Sequence, residues 1–231
     1  YQGCEKNGCA GHYLQKSGAA GKGFEKNGDT VMKKPVIFID FGGVYFTSAM
    51  PLVKIYAKKF GVTEKRLHDA LIGENWNAHA TGKIKEKTYW RNVQTAAGIT
   101  KEQTEAYRMT WYYYSKPNPG MKTLIRKLKK NYKVAALSSA IIGWVEVLEK
   151  KYKISKHFHE HHYTYDHGID KPSARFFLSA AKNMGAKPED CIVVDDMKAF
   201  LDEVKKTGAR TILFKDAKHL ETKLKKMGIE I

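Results

Sequence analysis

The sequence predicts an α/β protein built on a doubly wound parallel sheet, with an all-helical segment inserted after the first strand. Three observations predict it. Short apolar runs and helical periodicity alternate from about residue 118 to the C-terminus. The runs are uniformly apolar instead of alternating, as strands buried on both faces require. Residues 49–117, which follow the first run, carry helical periodicity only. Strand–helix alternation of this kind favours a parallel sheet covered by helices on both sides.

Residues 1–31 stand apart. Glycine recurs there (Gly3, Gly8, Gly11, Gly18, Gly21, Gly23, Gly28), Lys-Asn-Gly appears twice, and no periodicity is sustained. Such a segment buries too little to offset its ordering entropy, so a flexible tail or an appended extension is expected, with Met32 placed like a start. The first strand follows as Val36-Ile37-Phe38-Ile39, ending in Asp40. Helical patterns then cover 50–60, 64–72, 84–97 and 101–115, and the chain is expected to return near Pro117-Asn118-Pro119. Further strands are expected at 134–137, around 161–164, at 192–194 and at 211–214. Helices are expected at 120–130, 143–152, 173–184, 197–207 and 217–227. Pro172 and Pro188 punctuate this half, and Gly185, Gly208 and Gly228 sit where helix C-caps belong. The organisation expected is an α/β core from 33–48 and 118–231, carrying a helical cap at 49–117.

The 231 residues are 42% hydrophobic, enough for one substantial core and a modest second module. No stretch approaches the roughly 20 apolar residues of a membrane span, and no secretory pattern opens the chain, so a cytoplasmic protein without a membrane partner is expected. Cys4, Cys9 and Cys191 form an odd set that suits a reducing compartment better than a disulfide framework. A formal net charge of +17 favours anionic ligands. Its lysines cluster on helical patterns (Arg126, Lys127, Lys129, Lys130; Lys150, Lys151, Lys153; Lys223, Lys225, Lys226). Solvated helix faces account for these clusters, and nucleic acid is a possible but not the favoured partner. Nothing in the sequence sets an oligomeric state.

Ligands of a parallel sheet bind beyond the carboxyl ends of its strands. Here the first strand ends in Asp40, the second in Ser138-Ser139 and the fourth in Asp195-Asp196, and Lys171 precedes Pro172 at a helix start. Singly, these are common turn and capping residues. Together they bring three carboxylates, two hydroxyls and one ammonium to one rim, where a hard cation relieves the repulsion between carboxylates.

In this order the motifs resemble those of the haloacid dehalogenase superfamily, in its branch with a small helical cap after strand one. The residues concerned are Ile39-Asp40-Phe41-Gly42-Gly43-Val44, Leu137-Ser138-Ser139, Gly168-Ile169-Asp170-Lys171-Pro172 with Phe176, and Val193-Val194-Asp195-Asp196. The likeness covers about residues 33–231. It implies a Rossmann-like core and a Mg²⁺-dependent hydrolase of a small phosphate monoester. It also implies Asp40 as the nucleophile forming an aspartyl-phosphate, and Lys171 neutralising Asp40 and the phosphoryl oxygens. Ser138 and Ser139 would bind phosphate; Asp40, Asp195, Asp196 and the Gly42 carbonyl would be the metal ligands.

Gly42 departs from the family pattern, which places a second aspartate there to protonate the leaving oxygen; a water, His79 or a good leaving group would have to substitute. Phe200 stands where a polar residue is common. Two alternatives follow: a catalytically weak module binding RNA or another acidic partner, and a haloacid dehalogenase, which needs neither the second aspartate nor the paired acids. Within the cap, Gly73–His79 mixes polar and aromatic groups that suit either the site or an ordinary helix junction. Trp111-Tyr112-Tyr113-Tyr114 is expected to pack within the cap and against the core. His157, His159, His161 and His162 are expected to be structural, with no zinc site.

Overall fold

Five strands form one parallel sheet in the order β3-β2-β1-β4-β5. They are β1 (Val36–Ile39), β2 (Val134–Ser138), β3 (Glu160–Tyr163), β4 (Cys191–Asp195) and β5 (Arg210–Leu213). The computed structural model describes residues 34–231; the tail expected at 1–31, with Cys4 and Cys9, lies outside them. Chain order runs outward from β1 to β3 on one side and then restarts at β4 on the other, so the direction of winding reverses between β1 and β4. That reversal opens the crevice at which open α/β sheets bind ligands.

Burial of both sheet faces explains the apolar runs. Ile37, Ile39, Val134, Ala136, Ile192 and Val194 face one core cluster. Val36, Phe38, Ala135, Leu137, Cys191 and Val193 face the other. The first face is covered by α6 (Met121–Leu128), α7 (Ile142–Tyr152) and α11 (Ala217–Lys226), and the second by α9 (Ala174–Asn183) and α10 (Lys198–Lys205). Gly185, Gly208 and Gly228 take positive φ just beyond α9, α10 and α11, as expected of C-caps.

The segment between β1 and α6 is wholly helical. It comprises α1 (Pro51–Phe60), α2 (Glu64–Leu71), α3 (Glu74–Ala80), α4 (Glu86–Ala97) and α5 (Lys101–Tyr114). Proline opens α1, the Thr63 hydroxyl caps α2, and a reciprocal Thr100–Gln103 capping box opens α5. The Gly73–His79 stretch is mostly α3, for which the sequence carried no clear apolar stripe. The four-residue α8 (Thr164–His167), absent from the expected elements, follows β3 directly.

These inserted helices share their apolar cluster with one face of the sheet, through Leu52, Leu67, Trp90, Tyr112 and Trp144. Contact with α7 is close: a Cβ on Gly143 would fall 2.6 Å from Glu86 Oε2. Glu86 is itself held by Tyr112 Oη donating at 2.6 Å and Arg108 Nη1 donating at 3.0 Å.

The four histidines near β3 pack structurally. His157 Nδ1 pairs with Tyr45 Oη at 2.7 Å, and the Val134 amide donates to His159 Nδ1 at 3.1 Å. His161 Nε2 lies 3.2 Å from the Ile154 carbonyl. His162 is buried near Phe38 and His167. Burial, reinforced by His167 and His161, pushes its imidazole down to about 4. The unfolded chain then binds the extra proton first. Stability contributed by neutral His162 is complete above about pH 6.5 and is lost as pH falls toward 4. Urea unfolding at pH 7.5 and 4.5 is expected to show His162→Leu narrowing the gap between the two pH values by about 1–3 kcal/mol.

Candidate active site

Strand β1 ends where its residues must turn sharply. The Asp40 amide donates to the Val194 carbonyl at 3.0 Å, and the Tyr45 and Phe46 amides return to the carbonyls of Asp40 and Phe41 at 3.1 and 2.7 Å. Asn118 clamps this flap from the far end of the insertion. Its Nδ2 donates to the Val44 carbonyl at 2.8 Å, and its amide donates to the Tyr45 carbonyl at 2.8 Å. The entry and exit of the insertion also meet, with the Thr47 amide donating to the Lys116 carbonyl at 2.8 Å.

Asp40, Lys171 and Asp195 lie together in the crevice, all buried. Lys171 Nζ donates to Asp40 Oδ1 at 2.7 Å, to Asp195 Oδ2 at 2.6 Å and to the Leu137 carbonyl at 3.1 Å. An ammonium has three protons, so every donor of Lys171 is used. The Phe200 ring covers the same ammonium, its centroid 4.8 Å from Nζ. The polar partner expected at that position is thus replaced by a cation–π contact.

Asp195 is committed through both oxygens, because Oδ1 accepts from the Met197 amide at 2.7 Å. Asp196 is more open, and its carboxylate rests against Gly43. A Cβ built on Gly43 would lie 2.0 Å from Asp196 Oδ2, and the residue has φ +86°. Gly43 therefore meets both requirements for glycine, positive φ and close approach. Gly42 meets neither, since the nearest atom to its Cβ position is Trp144 Cη2 at 3.9 Å.

One ligand atom from each of Asp40, Asp195 and Asp196 falls within 4.8 Å of the others, the one such acid, histidine or cysteine group found among the described residues. Three carboxylates facing one ammonium leave excess negative charge in a partly dry site. Burial pushes Asp40 up to about 7, against the pull of Lys171 and with help from Asp195 and Asp196. The same two causes, burial and Asp195, raise Asp196. Burial works against the Lys171 ammonium, but its two aspartates outweigh that and raise its pKa, keeping it charged.

Ser138, buried, ends β2 one residue beyond the carbonyl that Lys171 bonds. No side-chain hydrogen bond engages Ser138 or half-buried Ser139 among the described residues. His79, a candidate proton donor, is buried, with its Nε2 unpartnered. Its Nδ1 lies 3.2 Å from the Ile84 carbonyl and its ring stacks on Tyr89 at 4.9 Å. Burial lowers its pKa. The Met197 amide, the Leu137 carbonyl, the Asn118 clamp and the Phe200 face were not assigned from sequence. Backbone donors and acceptors carry no sequence signature, and Asn118 was legible only as a return point between two prolines.

The family described as haloacid dehalogenase-like hydrolase matches residues 34–199, and the chain belongs to it. A glyceraldehyde 3-phosphate phosphatase of Methanopyrus kandleri is 33% identical over 94 residues, covering 39% of this chain and 40% of that protein. A flavin mononucleotide hydrolase of Arabidopsis thaliana is 23% identical over 211 residues, covering 89% of this chain and 83% of that one. Two curated relatives are matched over only 63% and 40% of their own length. In fold, the chain resembles a family enzyme of Bacteroides thetaiotaomicron solved with magnesium and inorganic phosphate. That likeness has a TM-score of 0.66 and 17% identity, over 79% of this chain and 95% of that one. No helix among the described residues is long and apolar enough to cross a membrane.

The two glycines are expected to respond differently to alanine. Gly43→Ala should lose about 1–3 kcal/mol in urea unfolding, through positive φ and collision with Asp196. Gly42→Ala should stay within about 0.5 kcal/mol of the parent.

Proposed function

We propose that the protein is a Mg²⁺-dependent phosphatase that hydrolyses a small phosphate monoester through an aspartyl-phosphate on Asp40. The single observation carrying this reading is the trio Asp40, Asp195 and Asp196 around one fully engaged lysine, at the crevice where the winding reverses. The donors are all oxygen and their charge exceeds what Lys171 balances, which fits a hard divalent cation. Asp40, Asp196 and the Gly42 carbonyl would hold it, with Asp195 anchored beside them. Bound there, Mg²⁺ would supply positive charge to the non-bridging oxygens of the phosphoryl group.

Asp40 Oδ1 is oriented by Lys171, which leaves Oδ2 as the attacking atom. Lys171 favours the carboxylate form of Asp40 and keeps Asp195 in place. The unengaged hydroxyls of Ser138 and Ser139 would bind the phosphoryl oxygens. We assign residues 49–117 as a cap over the core of 33–48 and 118–231, hinged at the Thr47–Lys116 pairing, which would exclude water during transfer. The phosphatases among the relatives support a phosphate substrate, and a cytoplasmic setting suits buried Cys191. The paired acids, unnecessary for carbon–halogen cleavage, weigh against a dehalogenase. The assembled site weighs against a pure binding module.

Hydrolysis of p-nitrophenyl phosphate should require Mg²⁺, and Asp40→Asn should lower turnover by at least about 10³-fold in folded protein. Absence of turnover in folded parent protein would overturn the reading. A second expectation concerns pH. In metal-free protein the raised Asp40 pKa gives a stability contribution that is lost as pH rises from about 4 to 7. Mg²⁺ competes with that proton, so the Mg²⁺-induced rise in Tm should be larger at pH 8 than at pH 5.5. Differential scanning calorimetry measures both.

A further inference from the structure

Gly42 leaves the site without the acid that would protonate a departing alkoxide, and what stands beside that position is aromatic. Trp144 Cη2 lies 3.9 Å from where a Gly42 side chain would begin. From there tryptophans continue into the inserted helices: Trp144 to Trp111 at 5.9 Å between ring centroids, and Trp111 to Trp76 at 6.0 Å. Their neighbours Tyr89, Trp90, Tyr107 and Tyr112 are buried, whereas Trp76 and Trp111 keep half-buried surfaces. Trp144 is 6% exposed, and its indole N–H is buried without an acceptor. Large apolar side chains also stand exposed just beyond two strand ends: Ile142 at the start of α7 after β2, and Met197 after the acidic pair that closes β4.

We propose that Trp144, Trp111 and Trp76 form the leaving-group subsite, and that the substrate is an aryl phosphate, a phosphate ester of a phenolic oxygen. The proposal rests on the phosphatase reading and names its substrate class. A phenol ionises near pH 10, whereas water and simple alcohols ionise near about 16. An aryl oxide therefore departs without the proton that an alkoxide demands. Asp40 Oδ2 forms the bond to phosphorus as the phosphorus–aryl oxygen bond breaks. The electron pair stays on the aryl oxygen, which solvent water later protonates. A second water then attacks phosphorus, breaks the bond to Asp40, loses its proton to solvent, and releases inorganic phosphate with the carboxylate restored. Indole faces bind the departing ring by offset or edge contacts.

The test compares phenyl phosphate, propyl phosphate and acetyl phosphate as substrates for the Mg²⁺-loaded parent, Trp111→Ala and Trp111→Phe. It also compares calorimetric binding of phenylphosphonate and methylphosphonate, which are not hydrolysed. Phenyl phosphate should exceed propyl phosphate in kcat/KM by at least about 100-fold, a span of the size a general acid supplies. Trp111→Ala should lower the phenyl-to-acetyl ratio about 5- to 10-fold, mainly through KM, and Trp111→Phe should restore most of it. Phenylphosphonate should bind about 5- to 10-fold more tightly than methylphosphonate, and Trp111→Ala should erase the difference. Equal use of phenyl and propyl phosphate, or a ratio unmoved by Trp111→Ala, would overturn the proposal. No turnover of any ester would overturn the phosphatase reading instead. The phosphonate titration would then decide the subsite by itself, and equal binding of the two phosphonates would overturn it.

Discussion

The Lys171 ammonium is the interaction on which the site depends. Asp40 leaves β1, Leu137 belongs to β2 and Asp195 closes β4, and Lys171 bonds all three. These are three neighbouring strands of the sheet, so one cation sets the relative heights of their carboxyl ends. The contact is fully desolvated, which makes removal of either charge costly and the geometry correspondingly rigid. Phe200 completes the enclosure from α10 with the face of its ring, keeping water from the ammonium and supplying negative quadrupole in place of a hydrogen bond.

Around this fixed centre the rest of the acidic rim is held more loosely. Asp196 is positioned by the absence of a side chain at Gly43, and the flap carrying Gly43 is clamped by Asn118. Since Asn118 follows the insertion and the flap precedes it, the shape of the rim and the attachment of the inserted helices are mechanically one feature. The sheet thus carries an excess of negative charge at its switch point. Burial first, and the neighbouring carboxylates after it, push Asp40 up against the pull of Lys171.

The inserted helices do more than cover. Their apolar residues continue the cluster on one face of the sheet, and Glu86 reaches α7 through the gap left by Gly143. Trp111 and Trp144 meet across the same boundary. Trp111 and Trp144 thereby set an aromatic wall beside Gly42.

Much of this was legible in the sequence because its causes are local. Uniformly apolar runs mark β1, β2 and β4 since both faces of the sheet are buried. Helix ends at Gly185, Gly208 and Gly228 follow from positive φ, and Asp40, Ser138, Lys171, Asp195 and Asp196 are recognisable because strand ends are where chemistry collects. The short α3 and α8 escaped because packing, not periodicity, stabilises them. What the tertiary structure alone decided is which groups meet. Lys171 spends all three donors inside the protein, Asp195 is an anchor with both oxygens engaged, and Gly43 rather than Gly42 is the sterically required glycine. His79 stacks on Tyr89, and Trp144 stands beside Gly42. The lysine, Gly43 and Trp144 contacts depend on distances between residues far apart in the chain. Composition and spacing determine which side chains are present and in what order, but only the packed sheet and its insertion determine which of them share a site.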